Sequence, residues 1–285
     1  MTPFRTVDDP RPGDVVGAFR LEEAIGEGGM AHVFRARDGA GGTVALKLVK
    51  TRLLGDEIQV RRFVHEARSA AAVRHAHLLP ILDAGEADGR LYLATRLVDG
   101  GTVEQRLDRE GPLPIPSVIR LARDVGSALD ALHAAGLVHR DVKASNLLCD
   151  DDGSTLLADL GLAKGEGYTA LTQPGSVLGT LEYLAPELIR GEQATPASDV
   201  YALGCTVYQC LTGRTPFGDR SLLQLGLAHL EEDPPDPVLA RADCPPELAR
   251  AVVTALEKDP ARRPLGGGAY AAALEAAYGV DSEGR

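Results

Sequence analysis

The sequence predicts an α+β protein with a small antiparallel β-sheet lobe followed by a larger, mainly helical lobe. Two observations predict this class: strand-like runs that alternate with turn residues in the N-terminal third, and apolar residues at helical spacing beyond it. The break Asp99-Gly100-Gly101 separates the two patterns. The predicted organisation is a flexible leader at 1–16, a first lobe at 17–98, a second lobe at 99–278 and a tail at 279–285.

The first lobe is predicted to be a sheet with one inserted helix. Gly39, Gly41 and Gly42 indicate one hairpin and Asp88-Gly89 indicates another, while apolar residues recur at helical spacing over 56–74. These signals predict strands at 19–25, 31–37, 43–49, 78–84 and 90–98.

The second lobe is predicted to be helical on either side of a long irregular tract. Residues 137–185 are rich in Gly and Asp and too numerous for an ordinary connection, which favours a functional segment. Periodicity and capping residues predict helices at 116–135, 195–212, 246–257 and 268–278.

Composition excludes several classes of protein. With 285 residues, 44% of them apolar, the chain can form a core, so wholesale disorder is excluded. The net charge of −11 argues against a nucleic-acid partner. The longest uncharged run, Gly167–Leu181, has 15 residues and is too short for a membrane segment. The four cysteines form no CxxC pair and no secretory signal is evident, so we expect free thiols and a cytoplasmic protein.

Two features of the first lobe could bind an anion. Gly26-Glu27-Gly28-Gly29 would allow the backbone to approach phosphates closely, although an ordinary glycine-rich hairpin would look the same. Lys47 lies among apolar residues of a predicted strand, where a buried ammonium group needs an anionic partner. Glu66 is the natural candidate; the alternative is an edge-strand lysine that reaches water.

The tract in the second lobe concentrates polar side chains. His139-Arg-Asp-Val-Lys-Ala-Ser-Asn146 contains a carboxylate, an ammonium group and a carboxamide within a short stretch, and Asp159-Leu-Gly161 follows a predicted hairpin. The oxygen atoms of Asp141, Asn146 and Asp159 suit Mg²⁺, whereas a solvated loop is the alternative.

Taken in order, these stretches resemble the signature set of a known family. The glycine-rich loop, Val44-Ala-Leu-Lys47, the 139–146 stretch, Asp159-Leu-Gly161 and Ala185-Pro-Glu187 follow the pattern of eukaryotic-type (Hanks-type) protein kinases, most similarly to bacterial Ser/Thr kinases, over 19–278. The resemblance implies a bilobal kinase fold and ATP- and Mg²⁺-dependent phosphorylation of Ser/Thr hydroxyls on protein substrates. A pseudokinase acting as a nucleotide-binding scaffold is the alternative. A small-molecule kinase of related fold is disfavoured by the Ala185-Pro-Glu187 segment.

The resemblance also implies individual roles around the phosphates. Gly26, Gly28 and Gly29 would lie over them, and Lys47, paired with Glu66, would contact the α- and β-phosphates. In the second lobe, the resemblance implies that Asp141 is the base that accepts the substrate hydroxyl's proton and that Lys143 neutralises the γ-phosphate. Asn146 and Asp159 would bind Mg²⁺.

The same resemblance implies an adenine pocket and supporting contacts. The pocket would comprise Ile25, Val33, Ala45, Leu148, the backbone of Arg96 and Val98, and Thr95 at the gatekeeper position. Glu187 and Arg263 should form a buried ion pair, and Asp199 should hold the backbone of the catalytic loop. His75 and His77 resemble a metal pair, but we expect a structural role for them.

Regulation is expected at the activation loop, residues 162–180. Arg140 precedes the predicted catalytic Asp141, as in kinases that are switched on by phosphorylation of this loop. The candidate phosphorylation sites are Thr172, then Thr169, with Ser176 also available. We expect autophosphorylation through a transient homodimer.

Overall fold

A computed structural model describes residues 9–28, 31–50, 57–161 and 181–282 of the chain. It divides into two compact units: the first extends to Arg74 and includes Leu79–Val98, and the second contains His75–Leu78 and the chain from Asp99 onward. The first is an antiparallel sheet with one helix, and the second is mainly helical. The predicted fold class is therefore confirmed.

The first unit is built on a six-stranded antiparallel sheet in the order β1-β2-β3-β4-β6-β5. Helix α1 connects β4 to β5 along the chain and, as predicted, carries Glu66. The bounds are β1 Val15–Val16, β2 Phe19–Glu27, β3 Ala31–Arg37, β4 Thr43–Val49, α1 Glu57–Ala71, β5 Ile81–Ala87 and β6 Arg90–Arg96.

This sheet is curled, because its two edges meet. The backbone N–H of Gly17, in the β1–β2 turn, donates to Asp88 Oδ2 in the β5–β6 turn at 3.1 Å. The rings of Phe19 and Tyr92 lie 5.4 Å apart, centre to centre, beside that contact. The curl protects edge strands that would otherwise expose unpaired backbone groups.

Alternation of side chains gives the sheet one core face. Residues two apart in a strand point to the same face, and directly paired residues on neighbouring strands share it. Phe34, Leu46 and Ala94 form one such buried row. The core cluster on this face comprises Val16, Phe19, Leu21, Phe34, Ala36, Val44, Leu46, Leu48 and Ala94.

The second unit is organised around two long helices, α3 and α5, most of whose residues are buried. A short β7–β8 hairpin follows α3. The bounds are α2 Val103–Glu110, α3 Ile115–Ala134, β7 Leu147–Cys149, β8 Thr155–Leu157, α4 Pro186–Ile189, α5 Pro196–Thr212, α6 Leu222–Glu231, α7 Pro237–Ala240, α8 Pro246–Thr254 and α9 Gly267–Ser282.

Helices α3 and α9 approach each other closely at two glycines. A Cβ atom on Gly126 would collide with the backbone of Gly267, and the reverse also holds. Asp130 of α3 accepts the N–H groups of Gly267 and Gly268 at 2.9 Å each, which fixes the start of α9. Close backbone packing explains the glycines at this crossing.

Several predicted boundaries need correction. The predicted leader at 1–16 includes ordered chain, because Val16 pairs with Phe19 and is 3% exposed; residues 1–8 lie outside the described ranges. The strand predicted at 78–84 occupies Ile81–Ala87. The predicted tail contributes 279–282 to α9, and the helix predicted at 246–257 ends at Thr254.

Two further observations concern the chain as a whole. Within the described ranges, no helix combines the length and the apolar character that crossing a membrane requires. All four cysteines are free thiols, and three of them are buried.

Candidate active site

The face of the sheet opposite the core carries the predicted nucleotide-binding residues of the first unit. Val33 pairs with Lys47 across β3 and β4, and Ala45 pairs with Thr95 across β4 and β6. Because Ala45 and Lys47 are two residues apart, all four side chains lie on one face. Gly26, paired with Val33, belongs to the same surface. The structure thus brings these predicted residues together.

The glycine-rich hairpin is partly described. Gly26 and Gly28 are positioned at the end of β2, whereas Gly29 lies outside the described residues. The Gly28 N–H donates to the Ala31 carbonyl at 2.9 Å, so Gly28 closes the hairpin with its own amide. Among the described residues, the atom nearest to a Cβ placed on Gly28 would be the Ala31 carbonyl oxygen, 3.9 Å away.

Lys47 and Glu66 are both partly buried side chains of the first unit. Glu66 Oε1 accepts a bond from Arg62 Nε, one turn earlier in α1, at 2.9 Å. This contact restrains the carboxylate along the helix. The pairing of Lys47 with Glu66 stays a prediction.

The catalytic loop of the second unit gathers two predicted residues, Asn146 and Lys143, around the carboxylate of a third, Asp141. Asn146 Nδ2 donates to Asp141 Oδ2 at 2.9 Å and to the Asp141 carbonyl at 2.7 Å. Lys143 Nζ lies 3.2 Å from Asp141 Oδ2. The Asp141 and Lys143 side chains are only 15% and 19% exposed, so these charges interact with little screening by water.

Asp199, at the start of α5, holds the backbone of this loop. Its two carboxylate oxygens accept the N–H groups of His139 and Arg140, each at 2.8 Å. His133 Nε2 contacts Asp199 Oδ2 at 2.8 Å as well. Arg140 has φ +67°, a left-handed conformation that is costly for a residue with a side chain. The predicted role of Asp199 is confirmed, and its bonds stabilise that strained turn.

His139 supports the Asp141 backbone from inside the second unit. Burial lowers the pKa of His139, which keeps its imidazole neutral. Its Nε2 lies 3.0 Å from the Ala158 carbonyl, which can only accept, so Nε2 carries the proton. The other nitrogen, Nδ1, accepts the Asp141 N–H at 3.3 Å.

Asp159 is placed next to the catalytic loop by its neighbours in the chain. The Ala158 N–H donates to the Asn146 carbonyl and the Gly161 N–H donates to the His139 carbonyl, each at 2.9 Å. Asp159 itself has φ +59°, a second left-handed residue at this site. The two bonds hold the peptide on either side of it.

The chemistry of Asn146 and Asp159 fits a magnesium ion. The Asn146 atom facing the Asp141 oxygens must be the amide nitrogen, because those oxygens only accept. The carboxamide oxygen is thereby directed elsewhere, and with the Asp159 carboxylate it provides the hard oxygen ligands that Mg²⁺ takes. In the described part of the chain, no group of three His, Cys, Asp or Glu side chains forms a further metal site.

The remaining residues predicted to bind adenine belong to different units, and each is described in its own unit. Ile25 lies in β2 of the first unit and is 43% exposed, while Leu148 lies in β7 of the second and pairs with Thr102. The Arg96 N–H donates to the Pro80 carbonyl at 3.2 Å, so a ligand contact there would use the Arg96 carbonyl. Val98 follows β6 in irregular chain.

The predicted ion pair between Glu187 and Arg263 is confirmed. Two bonds of 2.8 Å join Arg263 Nη1 and Nη2 to the two Glu187 oxygens, and Ser198 Oγ donates to Oε1 at 2.7 Å. Burial alone would raise the pKa of Glu187, but the bonds from Arg263 and Ser198 outweigh it and lower the pKa. The carboxylate stays charged in a buried position.

The family follows from comparison with known proteins. The model of the family described as "Protein kinase domain" matches residues 19–273. The chain belongs to the protein kinase family. The kinase is 38% identical over 278 residues to the serine/threonine-protein kinase PknE of Mycobacterium tuberculosis, and 40% identical over 279 residues to pkn3 of Myxococcus xanthus.

A solved structure supports the same assignment. The kinase domain of Mycobacterium tuberculosis PknI superposes with a TM-score of 0.77 at 29% identity, covering 94% of this kinase and 100% of that chain. The alignments with PknE and pkn3 cover 97% and 94% of the kinase. They cover 49% and 50% of those proteins, so the chain spans about half the length of these relatives.

Sequence reasoning missed two supporting residues of the kinase site. His133, in the last turn of α3, contacts Asp199, which is 66 residues away, and no local pattern indicates such a contact. His139 was included in a motif but given no role, although its position two residues before Asp141 was a usable signal. The activation-loop candidates Thr169, Thr172 and Ser176 lie outside the described residues.

Proposed function

We propose that this kinase transfers the γ-phosphate of ATP, with Mg²⁺, to serine and threonine hydroxyls of protein substrates. The observation that carries the proposal is the Asp141 carboxylate, held by Asn146 at 2.9 Å and facing Lys143 at 3.2 Å. The names of the matched relatives, which are serine/threonine-protein kinases, support the substrate class.

Asp141 is the group suited to receive the proton of the incoming hydroxyl. Asn146 holds the carboxylate, and His139 holds the Asp141 backbone through its N–H. Lys143 places positive charge beside it, where the transferred phosphoryl group would carry negative charge. Phosphoryl transfer requires positioning and neutralisation more than covalent assistance, and this cluster provides both.

Asn146 and Asp159 would hold the metal, and Lys47 would bind the nucleotide phosphates. Bound magnesium supplies positive charge that neutralises phosphate oxygens during transfer. On the first unit, Val33, Ala45 and Thr95 share a face with Lys47 and would enclose the adenine on that side. Paired Lys47 and Glu66 would orient the α- and β-phosphates.

Activation-loop autophosphorylation belongs to the same proposal. A phosphate on Thr172, or on Thr169 or Ser176, would bring about −1.5 to −2 charges that Arg140 could neutralise. A transient homodimer would allow one copy to modify another. Peptide mapping after incubation with ATP and Mg²⁺ should find phosphate between residues 162 and 180; modification only elsewhere would contradict this part.

The test of the function is incubation with labelled ATP, Mg²⁺ and a generic protein substrate. Wild-type protein should label serine and threonine, and Asp141→Asn should reduce the rate by about 10²–10⁴-fold, since it removes the base. Asp152→Asn is the matched control, because Asp152 lies in the exposed β7–β8 turn, where its Oδ1 accepts the Ser154 N–H at 2.8 Å. Tight nucleotide binding without labelling of any protein would favour the nucleotide-binding scaffold instead.

A further inference from the structure

A short segment between α1 and β5 is part of the second unit. The Leu157 N–H donates to the His77 carbonyl at 2.9 Å, and Leu78 forms a parallel bridge with Leu157. Residues 75–78 therefore lie beside β8, joined to it by one backbone hydrogen bond and one isolated bridge. This differs from the sequence prediction, which assigned 75–78 to the first lobe.

The side chain of His77 bridges β8 and α3. Its Nδ1 lies 3.2 Å from the Thr155 carbonyl, so Nδ1 must carry a proton. Its Nε2 faces Asp124 Oδ1 at 3.6 Å. The imidazole thus lies between the Thr155 carbonyl of β8 and the Asp124 carboxylate of α3.

Asp124 binds the other backbone group of Thr155, its N–H. Its carboxylate is buried, at 4% exposure, and Oδ2 accepts the Thr155 N–H at 3.1 Å. A buried carboxylate requires such partners. His75 does not compete for it: burial and the neighbouring His77 lower the pKa of His75, and its Nδ1 accepts the His77 N–H at 3.2 Å.

Both backbone groups of Thr155 are thus held by side chains. Thr155 begins β8, and the strand leads through Leu157 and Ala158 directly to Asp159. Ala158 is bonded at both its N–H, to Asn146, and its carbonyl, to His139. A continuous run of bonded backbone connects the His77–Asp124 pair to Asp159.

We propose that His77 and Asp124 are positioning residues that act through β8 to place Asp159 for magnesium binding. This inference rests on the proposed function, in which Asp159 is a metal-holding residue. Neither residue is among the proposed nucleotide- or metal-binding residues. The pair orients β8, the strand that leads to Asp159. Hydrogen-bonded groups behind the metal ligands orient those ligands in the same way at other metal sites.

The test measures magnesium affinity without relying on turnover. The thermal unfolding midpoint of the whole chain is recorded at fixed ATP while Mg²⁺ is titrated, for wild type, Asp124→Asn, His77→Gln and the double variant. Each single change should raise the half-saturating Mg²⁺ concentration about fivefold, below the ~10–100-fold seen when a directly bonded outer group is lost. The double variant should show little further change, since the two residues act as one unit.

Asp130→Asn is the matched control. It removes a carboxylate from the same helix, α3, but one that caps α9 through Gly267 and Gly268. It should lower the midpoint without moving the Mg²⁺ dependence. His77 is more exposed than Asp124, so His77→Gln keeps the test usable if Asp124→Asn does not fold.

The outcomes separate the two proposals. A magnesium response in wild type that is unchanged in both single variants overturns the positioning role alone, as does full additivity in the double variant. A wild type that binds ATP with no dependence on Mg²⁺ overturns both. A normal magnesium response without phosphoryl transfer overturns the proposed function and leaves the positioning role to be judged by the titration.

Discussion

The nucleotide face of the sheet and the catalytic loop hold their functional residues by different means. On the sheet, Lys47 and Val33 face each other because strand pairing fixes the register. In the loop, the backbone at His139 and Arg140 is held by Asp199, which is 60 residues further along the chain. The sheet site depends on a repeated backbone pattern, whereas the loop site depends on a few buried polar groups. Single changes should therefore have more local effects in the first region than in the second.

The largest expected effect concerns a buried pair in the second unit. Arg263→Met leaves the Glu187 carboxylate buried without its countercharge, with only the Ser198 bond remaining of the three side-chain bonds described above, and the free energy of unfolding should fall by about 3–5 kcal/mol. Urea unfolding measures this loss. Arg262→Met is the control: its side chain is 70% exposed, its contact with Glu257 is 3.6 Å, and we expect a change below about 1 kcal/mol. Equal losses in the two variants would contradict the importance of the buried pair.

The next largest effect is on activity, and it concerns the face of β4 that lies opposite the core. Lys47→Met should lower kcat/KM for ATP by about 10²–10³-fold, because a phosphate-binding ammonium group is removed. The unfolding midpoint should change little, since Lys47 lies opposite the core face.

Lys50→Met provides the comparison for that measurement. Lys50 follows β4 and bonds to Glu27 at 3.0 Å; the Lys50 side chain is 15% exposed and the Glu27 side chain 68%. We expect kcat/KM within about threefold of wild type, because an ion pair whose carboxylate is largely in water contributes little. If both lysine variants lost activity equally, the assignment of one functional face to the sheet would be wrong.

A smaller effect tests the loop. Asp199→Asn replaces one of two oxygens that accept backbone N–H groups with an amide donor, which should displace the turn at Arg140. We expect kcat to fall by about 100-fold, the cost of a small misplacement of a catalytic group, with KM for ATP nearly unchanged. Asp236→Asn is the matched control: it makes the same change at the start of α7, where the asparagine oxygen can still accept the Val238 N–H, and should leave kcat intact. A fall in both variants would indicate general destabilisation.

The smallest effect concerns pH and a buried histidine of α6. Burial lowers the pKa of His229 to about 3, and its Nδ1 lies 2.8 Å from the Tyr201 hydroxyl. Below pH 6.5 the unfolded chain gains a proton that the folded chain does not, so stability present above pH 6.5 is lost as pH falls toward 3. The loss should approach about 1.4 kcal/mol per pH unit.

Urea unfolding at pH 7 and pH 5 measures that slope. His229→Gln keeps an acceptor for Tyr201 but does not titrate, so the difference in unfolding free energy between the two pH values should be smaller than in wild type. Identical slopes would show that His229 is not the responsible group.

The sequence predicted the elements whose signals are local. Alternation and hairpin glycines placed β3 and β4 correctly, and helical spacing identified α3 and α5 to within a residue or two. The strand after α1 was predicted too early, because Leu78 pairs with Leu157, a long-range contact with no local signal.

Two missed helices had signals that could have been used. Helices α2 and α6 begin with capping boxes in which Thr102 is followed by Gln105 and Ser221 by Gln224. Glutamine at the third helical position marks a helix start as glutamate does. At the site, the motif residues were identified by resemblance, while the His133–Asp199 and His77–Asp124 contacts depend on tertiary folding.

The most direct test of the account is a crystal structure with Mg²⁺ and a non-hydrolysable ATP analogue. We predict a magnesium ion bound by the Asn146 carboxamide oxygen and the Asp159 carboxylate, with Lys47 on the nucleotide phosphates and the Asp141 carboxylate facing the γ-phosphate. A nucleotide bound with its metal held by other side chains, and with Asp141 and Asp159 turned away from it, would contradict the account.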